Sequence, residues 1–267
     1  MTTAFGKPKE FWAVDSRWTF KLHNKPVDDH PTKKFVAYDS EIVIFAGDEN
    51  PILVEQASIL ELIDHADYMR LIGNLTDETL ETIVVSEDNG MLIEFNGDYI
   101  YGQQGSTIVN RRQRASNLFH IGSGGKHACD FFHYACRKKR FLSSTGCNVY
   151  GSICYASSKD PATGGDPTVK VWVKGDRHGC LEKYKEFSGE MSSYKTYVYE
   201  KVSAMLDTLN EELDLQLSAR SSISSAHCSS NVQENGTLRK VSFGSTVSRL
   251  QRREERKAAR RNTLKAV

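Results

Sequence analysis

Thr2 is the residue with the most chemistry to offer, because once Met1 is removed it carries a hydroxyl nucleophile and its own base on one residue. Threonine is small enough for methionine aminopeptidase to expose it. An α-amino group titrates near ~7.7 in an unperturbed chain and can therefore act as a neutral base close to working pH. Many chains begin Met-Thr without catalytic purpose, so the pair gains meaning only from its company. That company is a series of short polar motifs: Ala13-Val14-Asp15-Ser16-Arg17-Trp18-Thr19 at the end of a strand, Lys34 opening a strand, Phe45-Ala46-Gly47 closing the next, Ile121-Gly122-Ser123-Gly124-Gly125 before a helix, and Asp160-Pro161-Ala162-Thr163-Gly164-Gly165. Each has a plainer reading alone. Lys33 and Lys34 read as two solvated lysines, Ala-Gly as a strand-to-helix turn, Ser-Gly-Gly as a loop, and Asp-x-x-Thr as a helix cap or turn.

Taken in order, from residue 2 to about residue 175, these motifs resemble the proteasome β-subunits and the bacterial HslV-type peptidases, a family of N-terminal-nucleophile (Ntn) hydrolases. Members start Thr-Thr, carry an Asp-Ser-Arg-like turn, a lysine before a strand, an Ala-Gly turn before the first helix, a Gly-Ser-Gly turn and an Asp-x-x-Ser-Gly. The resemblance implies an α+β fold, a four-layer αββα sandwich with two stacked antiparallel sheets, here with a C-terminal helical extension. It implies a cytoplasmic threonine-type endopeptidase without cofactor or metal, a homo-oligomeric ring, peptide or unfolded-protein substrates and an AAA+ unfoldase partner. Catalytic roles would fall on Thr2, Asp15, Lys34, Gly47, Ser123, Asp160 and Thr163, and substrate binding on Thr19 and Phe45.

Physical roles can be given to these positions. A cationic Lys34 beside the terminal amine would lower the pKa of that amine and of the Thr2 hydroxyl. Asp15 would hold Lys34 charged, and Lys34 fits this better than Lys33, although the spacing to Ala46 is one residue shorter than in the family. The Gly47 N–H is the candidate oxyanion donor. Ser123, Asp160 and Thr163 would surround the terminal amine and relay protons. The chain departs from the family in three places: the first hairpin is short, with only thirteen residues from Thr2 to Asp15 and Pro8 in its turn, Thr163 replaces the commoner Ser, and Phe45 would narrow or floor a specificity pocket. Two other readings stay open, a small-molecule amidase on the same fold and a non-catalytic assembly or binding protein with a basic tail.

The elements that must position these groups are strands first. Residues 11–20, 34–39 and 41–47 are short β-branched and aromatic runs. Asn50-Pro51 reads as an N-cap and first turn ahead of a helix with apolar residues at helical spacing. Asn96-Gly97 between MLIEF and DYIYG marks a hairpin. NLFHIG (117–122) is another strand, followed by helices over about 126–140 and 146–158, then the strand TVKVWVKG. His127, Cys129 and His133 share one predicted helix, but the histidines are not spaced i,i+4, so no metal site is expected.

The composition, 39% hydrophobic and 26% charged over 267 residues, is that of a globular protein, with neither a membrane-length apolar run nor a secretory-type start. Six cysteines without a CxxC pair are expected to be reduced. The net charge of +1 is uneven: residues 238–267 carry +8 and the rest −7. The expected organisation is a domain over 1–217 with core 2–175 and helix 193–217, a Ser-rich linker over 218–237, and a basic helical tail over 238–267. The 249–261 run of that tail, like Arg111, Arg112 and Arg114, could bind phosphates, but a solvated helix or a partner-docking tail is the plainer reading; if the tail has a function, its charge suits an acidic partner or nucleic acid.

Overall fold

The computed structural model describes residues 2–19, 25–97, 117–138, 147–172 and 191–223. The fold is α+β, with antiparallel sheets and five helices among the described residues. The chain divides into two compact units, Met1–Leu209 and Asn210–Val267. Within the first, β1 (Ala4–Lys7) turns sharply into β2 (Phe11–Val14), with Lys9 at φ 67° in the turn. Short strands β3 (Trp18–Thr19) and β4 (Pro26–Val27) pair with each other. Then follow β5 (Phe35–Tyr38), β6 (Glu41–Gly47), α1 (Glu49–Ile59), α2 (His65–Asn74), β7 (Leu80–Ser86), β8 (Leu92–Asn96), β9 (Phe119–Ile121), α3 (Gly125–Lys138), α4 (Asn148–Lys159), β10 (Thr168–Val171) and α5 (Met191–Ile223). One sheet has the order β10-β2-β1-β9 and the other β5-β6-β7-β8.

Strand alternation sorts the core into three apolar clusters. One joins both sheets, with Ala4, Trp12, Val14 and Ile121 from the first and Ile42, Ile44, Ala46, Ile83 and Val85 from the second. The opposite face of the first sheet, through Phe5, Phe11 and Ala13, meets Ala128, Phe132, Val149 and Ile153 of α3 and α4. The opposite face of the second, through Val43, Phe45 and Val84, meets Ile52, Leu71 and Val198 of α1, α2 and α5. Large side chains such as Trp12, Phe5 and Phe45 are fully enclosed, each contributing about 1.5–3 kcal/mol on burial.

Several boundaries differ from the sequence reading. The first helix is capped at Asp48 rather than Asn50, and Asp48 spends its carboxylate on the Thr79 N–H and hydroxyl. The apolar run from Ile52 breaks at Leu60, and a second helix starts behind the Asp64 cap, whose side chain accepts from the Asp67 N–H. α5 continues to Ile223, into the Ser-rich stretch expected to be linker. Cys147 is disulfide-bonded, against the reduced state expected, whereas Cys129, Cys136 and Cys154 are free. The second strand of the Asn96-Gly97 hairpin, Arg111, Arg112, Arg114 and the basic tail lie outside the described residues.

Candidate active site

The register of the first hairpin sets the site. Ala4 pairs with Val14, so the ladder continues to Thr3 and Asp15, where the Asp15 N–H donates to the Thr3 carbonyl at 2.9 Å. The Thr3 N–H in return donates to Asp15 Oδ1 at 2.9 Å. The short turn at Pro8 and Lys9 thus still lays the first residues of the chain along the end of β2. Thr2 and Thr3 are both fully buried, and the Thr2 hydroxyl has no hydrogen-bond partner among the described residues.

Asp15 is a junction. Lys34 Nζ donates to the same Oδ1 at 2.9 Å, and the Gly164 N–H donates to Oδ2 at 2.9 Å. Lys34 Nζ also donates to the Arg17 carbonyl and lies 5.3 Å from the Trp18 ring centroid. Both side chains are sealed, Lys34 at 3% and Asp15 at 2% exposure. Burial pushes the Asp15 pKa up and that of Lys34 down, since removal from water penalises both charged forms, and the mutual attraction of the pair works against both shifts.

A second carboxylate lies on the other side of Thr3. Ser123 Oγ donates to Asp160 Oδ2 at 2.5 Å and Thr163 Oγ1 donates to the same oxygen at 2.9 Å. Thr163 Oγ1 is also 2.5 Å from Thr3 Oγ1. A hydroxyl has one proton, and that of Thr163 is committed to Asp160, so the Thr3 hydroxyl must donate to Thr163. Burial raises the Asp160 pKa, but hydrogen bonds from Ser123, the Ala162 N–H and Thr163 outweigh it and hold the group below the usual carboxylate range.

Glycines let these loops close on the chain start. Gly122, at φ +77°, lies against the Thr2 carbonyl: an ideal Cβ there would stand 1.6 Å from that oxygen. At Gly124 a Cβ would lie 2.2 Å from both the Thr3 and Thr163 hydroxyls. The hydroxyl chain therefore depends on the missing side chain at 124.

The structure thus brings Thr2, Asp15, Lys34, Ser123, Asp160 and Thr163 around the first residues of the chain. Gly47 closes β6 at φ +130°, a conformation that favours glycine, and a Cβ there would meet the Thr79 carbonyl oxygen at 2.1 Å. Its neighbour Ala46 is the link to the site, because the Ala46 Cβ stands 3.3 Å from an ideal Cβ on Gly122. Phe45 points into the helix-facing apolar cluster beside Trp18 and Ile52. Thr19 closes β3, its hydroxyl buried and without a partner among the described residues. A cavity of about 660 Å³ opens beside the Lys34–Asp15 pair, lined among others by Asp28, His30, Asp166 and Thr168. His127, Cys129 and His133 join no metal-binding group, and no cluster of three or more such ligands occurs among the described residues.

Three contributors escaped the sequence reading. Thr3 links both carboxylates, and its signal was the Thr-Thr doublet itself, since alternation sends the two side chains opposite ways. Glu81 Oε2, on β7 of the other sheet, accepts the Gly122 N–H at 2.5 Å. Arg17 joins Asp28 at 2.6 Å and donates to the Thr163 carbonyl at 3.1 Å, tying the Asp15 turn to the Asp160 loop. Glu81 has no signature in local spacing, whereas Arg17 stands in the Asp-Ser-Arg turn without having been given a role there.

No protein-family model and no curated protein matches the sequence. Among solved structures, the chain is similar to BPH of Thiobacillus denitrificans in complex with epoxomicin, at 12% identity over 65% of this chain and 100% of that one, with a TM-score of 0.39. It is similar also to a second structure of BPH from the same organism, at 12% identity over 66% of this chain and 100% of that one, with a TM-score of 0.38. The eukaryotic HslV from Trypanosoma brucei is 16% identical over 64% of this chain and 97% of that one, with a TM-score of 0.34. HslV, named in the resemblance drawn from the motifs, is thus among the structures this chain is similar to.

Proposed function

We propose that the chain is a threonine peptidase of the N-terminal-nucleophile type, built as a four-layer αββα sandwich, with Thr2 as nucleophile after loss of Met1. The observation that carries the reading is the sharing of Asp15 Oδ1: the chain start and a sealed lysine are hung on one carboxylate oxygen, next to a threonine whose buried hydroxyl lacks a partner. A buried ion pair is weak evidence for stability, because desolvation opposes the attraction. Its placement against residue 3 has a chemical use, which is to keep a positive field near the terminal amine and hydroxyl.

In this mechanism the Thr2 hydroxyl oxygen attacks the carbonyl carbon of a peptide bond while its proton passes to the Thr2 amine. The Gly47 N–H faces the oxygen that becomes negative. The C–N bond then breaks, the leaving amine takes the proton, and water hydrolyses the remaining ester to regenerate Thr2. Asp160, with Ser123 and Thr163, orients the amine and relays its proton. Thr19 shapes the substrate cleft, and a cytoplasmic ring of subunits, fed by an unfoldase, would enclose the sites.

The test is intact-mass and N-terminal analysis of the purified protein before and after epoxomicin, the ligand of the T. denitrificans protein. The reading expects Met1 to be absent and the adduct to sit on residue 2. Retained Met1, or an adduct elsewhere, would sink it, because the amine would no longer belong to the nucleophile.

A further inference from the structure

Lys34 stands at the end of a segment, Thr32–Lys34, that lies outside the regular strands, since β5 begins at Phe35. Its backbone is nonetheless held at each step. The Thr32 N–H donates to His30 Nδ1 at 3.2 Å, and the Trp18 indole donates to the Thr32 carbonyl at 2.9 Å. The Lys33 N–H donates to the Tyr194 hydroxyl at 2.8 Å. The Gln56 amide donates to the Lys33 carbonyl at 2.6 Å, and the Phe45 N–H donates to the Lys34 carbonyl at 2.9 Å.

Tyr194 ties this set together from a helix far along the chain. Its hydroxyl accepts from Lys33 and passes its single proton to Gln56 Oε1 at 2.7 Å, so Tyr194 and Gln56, joined to each other, hold the N–H and the C=O on either side of the Lys33 Cα. Tyr197, one turn on, stacks with Tyr194 at 5.8 Å between ring centroids and lies 2.9 Å from the Thr32 hydroxyl. The Thr32 proton goes to Glu49 at 2.6 Å, so Tyr197 is the donor in that contact. Tyr194 is 5% exposed and Gln56 fully buried, while Val198 and Val202 of the same helix are fully buried in the apolar cluster that holds Phe45. The Tyr194–Gln56 contact is therefore closed off from bulk water, while its bonds to Lys33 are half-buried.

We propose that Tyr194 is a positioning residue for Lys34, holding through Lys33 and Gln56 the backbone from which the ammonium reaches Asp15. This rests on the peptidase reading for its consequence, though not for its geometry. The first segment of α5 is on this view part of the site's scaffold. A lysine stem is flexible, and an ammonium that must stay within reach of two fixed acceptors, Asp15 Oδ1 and the Arg17 carbonyl, needs an anchored backbone.

The test compares full-length Tyr194→Phe with Tyr68→Phe, which removes another buried tyrosine hydroxyl, one that donates to Glu55 at 3.0 Å in the same apolar cluster. Two quantities are read: the rate and pH profile of Thr2 modification by epoxomicin, and amide hydrogen exchange at Lys33 and Lys34. Tyr194→Phe keeps the ring but removes the acceptor of the Lys33 N–H and the donor to Gln56 Oε1. Modification should slow about tenfold near neutral pH, and the midpoint of its pH profile should rise toward that of an ordinary α-amine, as the cation is displaced. Lys33 exchange should quicken about tenfold. Tyr68→Phe should lose comparable thermal stability with neither change. An unshifted midpoint and unchanged exchange in Tyr194→Phe would overturn the proposal and leave Tyr194 as a core hydroxyl. If the parent is not modified at Thr2 at all, the peptidase reading fails, and the exchange data with an NMR titration of the Lys34 ammonium decide the positioning: identical values in parent and variant overturn it, a shift in both supports it.

Discussion

Asp15 and Asp160 hold the start of the chain from two sides, one through the Thr3 N–H and the other through the hydroxyls of Thr163 and Thr3, yet their acidities move in opposite directions. Asp15 is sealed and faces a lysine, and burial dominates, so its pKa rises. Asp160 is only half-buried and collects hydroxyl and amide donors, which pull it down. The same residue type thus acquires two characters from its surroundings. The sealed pair can fix a cation in place, whereas the open cluster, rich in single-proton donors, can move a proton.

The largest effect that bears on this comparison is at Thr2, next to the Thr3 that joins the two. Thr2→Ala is expected to lower peptide hydrolysis by about 10³-fold or more with little change in melting temperature, because one hydroxyl without a partner is lost. Thr2→Ser should retain part of the activity. Cleavage by Thr2→Ala at the parent rate would place the nucleophile elsewhere.

Breaking the sealed side is expected to act on stability as well. Asp15→Ala leaves a buried ammonium without its carboxylate and should cost about 3–5 kcal/mol, read from denaturant unfolding. The double change Asp15→Ala with Lys34→Met should recover most of that stability and none of the activity. If the double variant is no more stable than the single one, the loss came from the Thr3 and Gly164 hydrogen bonds rather than from a stranded charge. For activity, Lys34→Ala should lose orders of magnitude and Lys33→Ala far less, since the Lys33 ammonium lies 4.9 Å over the Tyr194 ring and is not hydrogen-bonded to Asp15. Equal losses would mean that the field at Thr2 does not come from Lys34 alone.

A third expectation concerns the strand that carries the Ser123 loop. Burial lowers the His120 pKa to about 4. The unfolded imidazole titrates near ~6.5 and so binds a proton where the folded one does not, which makes stability fall as pH drops from about 6.5 to about 4, by at most about 3 kcal/mol. His120→Phe should flatten that part of the stability curve. An identical slope in parent and variant would assign the acid loss to carboxylates.

Much of this arrangement was legible in the sequence wherever a local rule and the tertiary structure agree. β6 ends at Gly47 as its closing Ala-Gly indicated, and α3 and α4, Gly125–Lys138 and Asn148–Lys159, lie within a residue or two of the helices read over about 126–140 and 146–158. Lys34 was preferred to Lys33 on strand position, and it is Lys34 whose ammonium lies 2.9 Å from Asp15. The misses are non-local. β1, with a glycine and a lysine in four residues, is a strand because β2 and β9 flank it on both sides. Thr3, Glu81 and Tyr194 each act across a long sequence separation, and no spacing rule connects residue 33 to residue 194. The break at Leu60 was hidden because both sides of it are apolar.

The smallest effects should come from the open side, where solvent can replace a lost donor. The folded pKa of Asp160 lies below its ordinary value, so this group's contribution to stability is present above the unfolded carboxylate range and is lost as pH falls through the folded pKa, that is, below about 4. Ser123→Ala removes the first of the donors that lower it, and the Asp160 titration, followed by NMR, should move up toward the unfolded value. Activity should drop only a few-fold, because Ser123 is exposed and water can donate in its place. Thr163→Ala should cost more. Thr163 is fully buried, and its loss strands the Thr3 hydroxyl proton as well as one donor to Asp160, with a crowded glycine at 124 leaving little room for water. The ranking Thr163 above Ser123 is therefore the sharp expectation. If the two variants lose the same activity and shift the Asp160 titration equally, the hydroxyl chain to Thr3 has no part in orienting the amine, and the two sides of the site differ only in their exposure to water.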